Sequence, residues 1–202
     1  MTGNFIDEKA YYQAKEQRDP QTRFWNSSHG RDRRFDAILR HTAIAGQSVV
    51  DLGCGAGDLL QHAVASGAVP ARYDGLDIVE SFVAEGLARG LPGRFHSCDV
   101  LEDEWPVGQA DWIIANGIFA LAQAGDGWWT RYRRLSDKMW RQAKTGMAYT
   151  IISTNSPKRN EETRYCDPGE ILNEAIARFG DAVLLDHSYL PNDFLLVVRK
   201  TR

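Results

Sequence analysis

Cysteine is scarce in this chain, and its spacing builds nothing. Cys54, Cys98 and Cys166 are the three among 202 residues, with no CxxC pair. The five histidines, His29, His41, His62, His96 and His187, form no HxxxH or HExxH pattern. Neither a disulfide framework nor a zinc site is expected, no metal is called for, and a reducing cytoplasm is the natural compartment. Long apolar runs are also missing. The best stretch, Trp112 to Ala124, is interrupted by Asn116 and Gly117 and falls short of the roughly 20 residues that span a bilayer. The first residues carry Asp7 and Glu8 and no signal-like apolar core, so neither export nor a membrane partner is expected. An excess of positive charge is absent too. The net charge of -3 gives no global attraction to nucleic acid. The short basic runs Arg31 to Arg34 and Arg131 to Arg134 read as solvated helix faces.

What is present is an ordinary globular composition, 43% apolar and 25% charged, with no repeat, low-complexity tract or Pro/Gly-rich linker. Residues 1–202 read as one domain: an N-terminal extension over 1–30, and a core over 31–202. From Arg31 a helix is expected to end near Gly46. Beyond it, β-branched runs alternate with helical patterns. Strands are expected over 48–52, 73–78, 94–99, 111–115 and 148–154, and helices through Leu60, through Phe82 to Leu87, over 126–143 and over 168–179. Such alternation gives a largely parallel sheet with helices on both faces. Two closing strands, 183–189 and 193–199, are separated by only Leu190-Pro-Asn192. That link is too short for a parallel crossover, so they form an antiparallel hairpin.

The strongest motif is Val49-Val-Asp-Leu-Gly-Cys-Gly-Ala-Gly57, at a strand end opening a helix. Gly53, Gly55 and Gly57 let the backbone turn sharply and approach a ligand with no Cβ in the way. Asp77, at the end of the second strand and 20 residues beyond Gly57, is placed to accept both ribose hydroxyls of a nucleoside. Asp99 ends the third strand, where it can meet the amino group of an adenine ring, with Ile78 and Val100 as apolar walls. The fourth strand ends in Asn116-Gly117. A dinucleotide site fits less well. The rhythm here is GxGxG rather than GxGxxG, and Asp51 would oppose a pyrophosphate.

Asp51-Leu-Gly-Cys-Gly-Ala-Gly57, with Asp77, Asp99 and the strand Asp111 to Asn116, resembles the class I S-adenosylmethionine-dependent methyltransferases over about residues 34–200. The resemblance implies an α/β, Rossmann-like three-layer sandwich. Its seven-stranded, mostly parallel sheet would have the order 3-2-1-4-5-7-6 and an antiparallel last strand. It further implies S-adenosylmethionine as methyl donor and S-adenosylhomocysteine as product. Gly53, Gly55 and Gly57 would approach the methionyl part with Asp51 supporting the loop. Asp77 would hold the ribose, Asp99 and Val100 the adenine, and Asn116 and Gly117 the sulfonium. The pattern Trp25…Arg34-Phe35, with Tyr189-Leu-Pro-Asn-Asp-Phe194, is similar to a bacterial subgroup of small metabolite methyltransferases. It puts Trp25 and Arg34 on the donor side.

The acceptor wall is expected at the ends of the fourth to sixth strands. Phe119 and Asn155 lie there. So does His187, which is either a general base or a sheet histidine. Tyr189 either orients substrate or packs, and Asp193 either binds acceptor or caps the hairpin. The polar stretch 155–167 is long for a connection and reads as a lid. Its Arg159, Arg164 and Tyr165 can recognise a carboxylate or phosphate. Tyr11 and Tyr12 either stack on substrate or pack. A small-molecule acceptor is expected, methylated on O, N or S. The alternatives are a tRNA or DNA methyltransferase and a non-catalytic donor-binding module. Against the first, Asn116-Gly-Ile-Phe119 lacks the prolines of the Asn/Asp-Pro-Pro-aromatic motif.

Overall fold

The computed structural model describes residues 8–18, 27–123, 125–180 and 182–201. Its strands are β1 (Ser48–Leu52), β2 (Arg72–Asp77), β3 (Arg94–Ser97), β4 (Ala110–Ala115), β5 (Ala143–Ile152), β6 (Val183–Leu190) and β7 (Asp193–Arg199). They form one seven-stranded sheet in the order β3-β2-β1-β4-β5-β7-β6. β1 to β5 run parallel, and β7 is antiparallel to both β5 and β6. The order and the closing hairpin are those the sequence implied.

Alternation along the strands decides which helices cover which face. Val50, Leu52, Ile113, Met147, Phe194 and Leu196 point to the side of α5 (Gly127–Gln142) and α6 (Pro168–Phe179). Val49, Tyr73, Ile114, Ala148, Leu195 and Val197 point to the side of α2 (Ser28–Thr42) and α3 (Asp58–Ala65). Val83 of α4 (Glu80–Ala88) joins that second layer. α1 (Glu8–Arg18) is the described part of the N-terminal extension.

Several boundaries differ from expectation for local reasons. α2 begins at Ser28 because Ser27 caps it, accepting from the Gly30 amide at 3.0 Å. β3 stops at Ser97 because Asp99 turns the chain, its Oδ1 accepting from the Leu101 amide at 2.9 Å. β5 starts at Ala143, with no loop after α5; Lys144, Thr145 and Gly146 disguised its polar beginning.

The closing hairpin is locked to α2 by a buried charge. Asp193 is fully buried at the start of β7, and the Arg34 guanidinium lies 2.7 Å from its Oδ2. The Tyr189 hydroxyl donates to Asp193 Oδ1. Burial pushes the Asp193 carboxyl up, against the opposing pull of Arg34 and Tyr189. Asp193 is thus neither an acceptor ligand nor a turn cap, and the Tyr189 hydroxyl is committed to it. Removing one member of such a pair leaves the other charge uncompensated. Asp193→Asn is expected to lower stability by about 3 kcal/mol, the low end for a broken buried pair because Arg34 is partly exposed. Urea denaturation checks this; an unchanged midpoint would contradict it.

Candidate active site

A cavity of about 830 Å³ opens where β1, β2 and β4 end, within the usual range of small-molecule sites of about 300–1,000 Å³. Its floor is the loop between β1 and α3. Gly53, Gly55 and Gly57 take φ values of +65°, +55° and +84°, a region that a Cβ disfavours. A side chain at Gly57 would strike the Phe95 ring at 2.7 Å, whereas one at Gly55 would meet no protein atom within 4 Å. The loop therefore packs on one side and presents bare backbone on the other.

Asp77 fixes that loop. Its Oδ2 accepts from the Gly55 amide at 2.8 Å and its Oδ1 from the Val79 amide at 2.9 Å. Asp51 lies in the wall, fully buried, with its Oδ2 accepting from the Tyr73 hydroxyl at 2.5 Å. Its Oδ1 is buried with no hydrogen-bond partner among the described residues. Burial pushes the Asp51 carboxyl up to about 7, helped by the Asp77 charge and opposed by the Tyr73 hydrogen bond.

On the far side, the segment after β4 is tied to the 155–167 stretch. The Ala122 amide donates to the Glu162 carbonyl and the Arg164 amide to the Ala120 carbonyl. α1 crosses the opening. The Tyr11 hydroxyl donates to Glu162 at 2.9 Å, and Glu8 takes both a short contact and a 2.7 Å hydrogen bond from Arg131. At the end of β4, Thr150 accepts from the Gly117 amide at 3.0 Å and donates to Asn116 Oδ1 at 2.8 Å.

The structure brings most of the expected donor-side residues together. Arg34, Asp51, Gly53, Gly55, Asp77, Ile78, Asp99, Val100, Asn116 and Gly117 all line the cavity, and Gly57 turns the same loop from below. Tyr11, Tyr12 and Tyr165 line it as well. Burial pushes the Tyr12 phenol up. Trp25 lies outside the described residues.

The acceptor-side expectations fare worse. His187 does not line the cavity; its ring packs edge-on against Phe194 at 6.0 Å. Tyr189 and Asp193 are buried in the hairpin lock, also off the cavity. Phe119 is fully buried among Trp128, Tyr132 and Tyr149. Arg164 stacks on the Trp128 ring at 5.2 Å. Asn155 is exposed, away from the cavity. Lys15, Lys158, Glu162 and Thr163 line it instead. The segment carrying the last two pairs with the chain after β4 through Leu121 and Thr163, a non-local contact that left no mark in the sequence. Among the described residues, no group of three or more His, Cys, Asp or Glu is arranged to hold a metal, and no helix is long and apolar enough to cross a membrane.

Sheet order and the glycine loop beside the cavity are those of the class I, Rossmann-like methyltransferase fold, and this chain has that fold. Residues 31–125 match the family model described as "Methionine biosynthesis protein MetW". A curated relative from Mycobacterium tuberculosis (strain ATCC 25618 / H37Rv), named "Putative methyltransferase Rv1506c", is 28% identical over 160 residues, 76% of this chain and 93% of that one. Among solved structures, the DhpI-SAM-HEP complex is similar with a TM-score of 0.75 at 17% identity, covering 98% of this chain and 99% of that one. Magnesium protoporphyrin IX methyltransferase (ChlM) from Synechocystis PCC 6803, with bound SAH, gives 0.68 at 15% identity, covering 96% and 100%. The small RNA methyltransferase HEN1 gives 0.67 at 15% identity, covering 85% and 25%. The fold is thus shared by enzymes with unlike acceptors.

The Asp51 environment makes a prediction about pH. An unfolded Asp ionises near pH 3.9, whereas the folded one holds its proton to about 7. Between those values the unfolded state releases a proton that the folded state keeps. The wild type should therefore lose stability relative to Asp51→Asn as pH rises from about 4 to 7, by on the order of 4 kcal/mol, and then level off. Paired denaturation curves across that range check it; a constant or rising difference would contradict it.

Proposed function

We propose that this chain transfers the methyl group of S-adenosylmethionine to a small polar acceptor by in-line displacement. The observation that carries the reading is the glycine loop, pinned by Asp77 and opening its bare backbone to a cavity. The buried oxygen of Asp51 that has no partner among the described residues, in the same wall, fits a donor bearing an ammonium group.

Asp51 and the Gly53–Gly57 backbone would hold the methionyl portion, with Arg34 near its carboxylate. Asp77 would take the ribose hydroxyls. Ile78 and Val100 would flank the adenine, with Asp99 at its edge. The donor supplies a methyl group on positively charged sulfur, which needs no further activation. What remains for the protein is to position the acceptor and exclude water. α1 and the 155–167 stretch supply that cover through the Tyr11–Glu162 and Glu8–Arg131 contacts. A covered site favours a small acceptor over a polynucleotide, and the net charge of -3 agrees. Three buried free cysteines suit a reducing cytoplasm.

Calorimetry with S-adenosylmethionine tests the reading. Asp77→Ala should weaken donor binding by about 10- to 100-fold, since a hydrogen bond to a charged group contributes about 1.5–3 kcal/mol. Undiminished affinity would refute the assignment. His187→Ala, by contrast, should leave donor affinity and methyl transfer within about twofold, as expected for a residue packed off the site. A loss of turnover beyond that would return His187 to the mechanism.

A further inference from the structure

Resting on the methyl-transfer reading, the geometry points to the acceptor's chemical class. We propose that the methylated atom is an oxyanion oxygen, on a carboxylate or phosphoryl group, held by Asn116 and by cations of α1 and the 155–167 stretch.

Asn116 lines the cavity at the end of β4, beside the glycine loop. Which end of its amide faces the acceptor follows from Thr150. That buried hydroxyl accepts from the Gly117 amide and gives its one proton to Asn116 Oδ1. The amide nitrogen, a donor, is left to the cavity. An amine or hydroxyl nucleophile would seek an acceptor at this point and would find a donor; an anionic oxygen is complemented. Thr150 is thus the positioning residue that sets the polarity of Asn116.

The charges agree. Asp51, Asp58, Asp77 and Asp99 line the half of the cavity at the ends of β1 to β3, where Arg31 stands near Asp58 and Arg34 is paired with Asp193, while Lys15, Lys158 and Arg159 line the half beyond β4 with Glu8 and Glu162. Lys158 and Arg159 form no ion pair among the described residues. Arg159 is nevertheless held in place: its guanidinium sits 5.3 Å from the Tyr165 ring and donates to the Thr154 carbonyl. Lys15 reaches the Tyr11 hydroxyl at 3.3 Å. Of the two carboxylates on this wall, Glu8 is paired with Arg131 and Glu162 accepts from that same hydroxyl, which leaves the charges of Lys158 and Arg159 without an ion-pair partner among the described residues. In the transfer, the anion's oxygen supplies the electron pair of the new O–CH₃ bond. The pair of the breaking S–CH₃ bond stays on sulfur, and no proton has to leave. The position of His187 off the cavity is then no deficiency.

The test is calorimetry on the full chain. S-Adenosylhomocysteine binding is measured first, because a chain that does not bind it overturns the methyl-transfer reading itself. The loaded protein is then titrated with butyrate, propylphosphonate and neutral butyramide. At least one anion should bind about tenfold or more tightly than butyramide, as charge-assisted hydrogen bonds require. A preference for butyrate identifies a carboxylate acceptor, and one for propylphosphonate a phosphoryl acceptor. The Lys158→Gln/Arg159→Gln variant, altered only at exposed positions, should lose the preference while keeping S-adenosylhomocysteine affinity. Thr150→Val should lose it too, and Thr150→Ser should retain it. Loaded protein that takes neither anion better than butyramide, or a preference untouched by these substitutions, overturns the inference alone. With labelled donor and a pool of metabolites, label in a carboxylate or phosphoryl methyl ester is expected; label on nitrogen, sulfur or carbon overturns it.

Discussion

The carboxylate of Asp77 joins two backbone segments, the glycine loop after β1 and the turn after β2. Both lead to helices on one face of the sheet, α3 and α4, whereas the chain after β4 leads to α5 on the other. Where the connections after β1 and β4 separate, a crevice forms. Asp77 keeps the rim of this one fixed, and Gly53, Gly55 and Gly57 keep it bare. Asp51 on β1, the apolar pair Ile78 and Val100, and Asn116 on β4 then reach a single cavity. Without that brace, the positive-φ loop would have no partner to hold it against the site.

Charge is unevenly distributed along this cavity. Asp51, Asp58, Asp77 and Asp99 gather at the ends of β1 to β3, with Arg31 near Asp58 and Arg34 paired with Asp193, and burial lifts the Asp51 carboxyl to about 7. Lys15, Lys158 and Arg159 stand beyond β4, on α1 and the 155–167 stretch, beside Glu8 and Glu162. A donor that carries positive charge and an acceptor that carries negative charge would be drawn to opposite ends with their reacting atoms between them. The Arg34–Asp193 pair stands at the back of the site and couples α2, which lines the cavity, to the closing hairpin.

The fold was legible because its signals are local. α6 begins and ends as read, with Asp167 capping it, Pro168 in the first turn and Gly180 beyond Phe179. The donor side was legible for the same reason: a strand end, a glycine run and an acid at the next strand end are sequence neighbours of the site they build. The acceptor side depends on register and on distant contacts. His187 and Tyr189 share a parity, so regular alternation would put both on one face of the sheet. An irregularity between Asp186 and Leu190 breaks that alternation, sending His187 to Phe194 and Tyr189 into the opposite layer. Arg164 was a plausible anion ligand by type, but stacks on Trp128, while Lys158 took a place on the cavity wall. Polarity marked residues 155–167 as a functional stretch without revealing which side chains turn inward.

A crystal structure of the chain with S-adenosylhomocysteine tests the central claim most directly. The account predicts the nucleoside and amino-acid portions lying along Gly53–Gly57, the ribose hydroxyls on Asp77 and the sulfur facing Asn116. A ligand seated elsewhere, or a ribose without contact to Asp77, would contradict it.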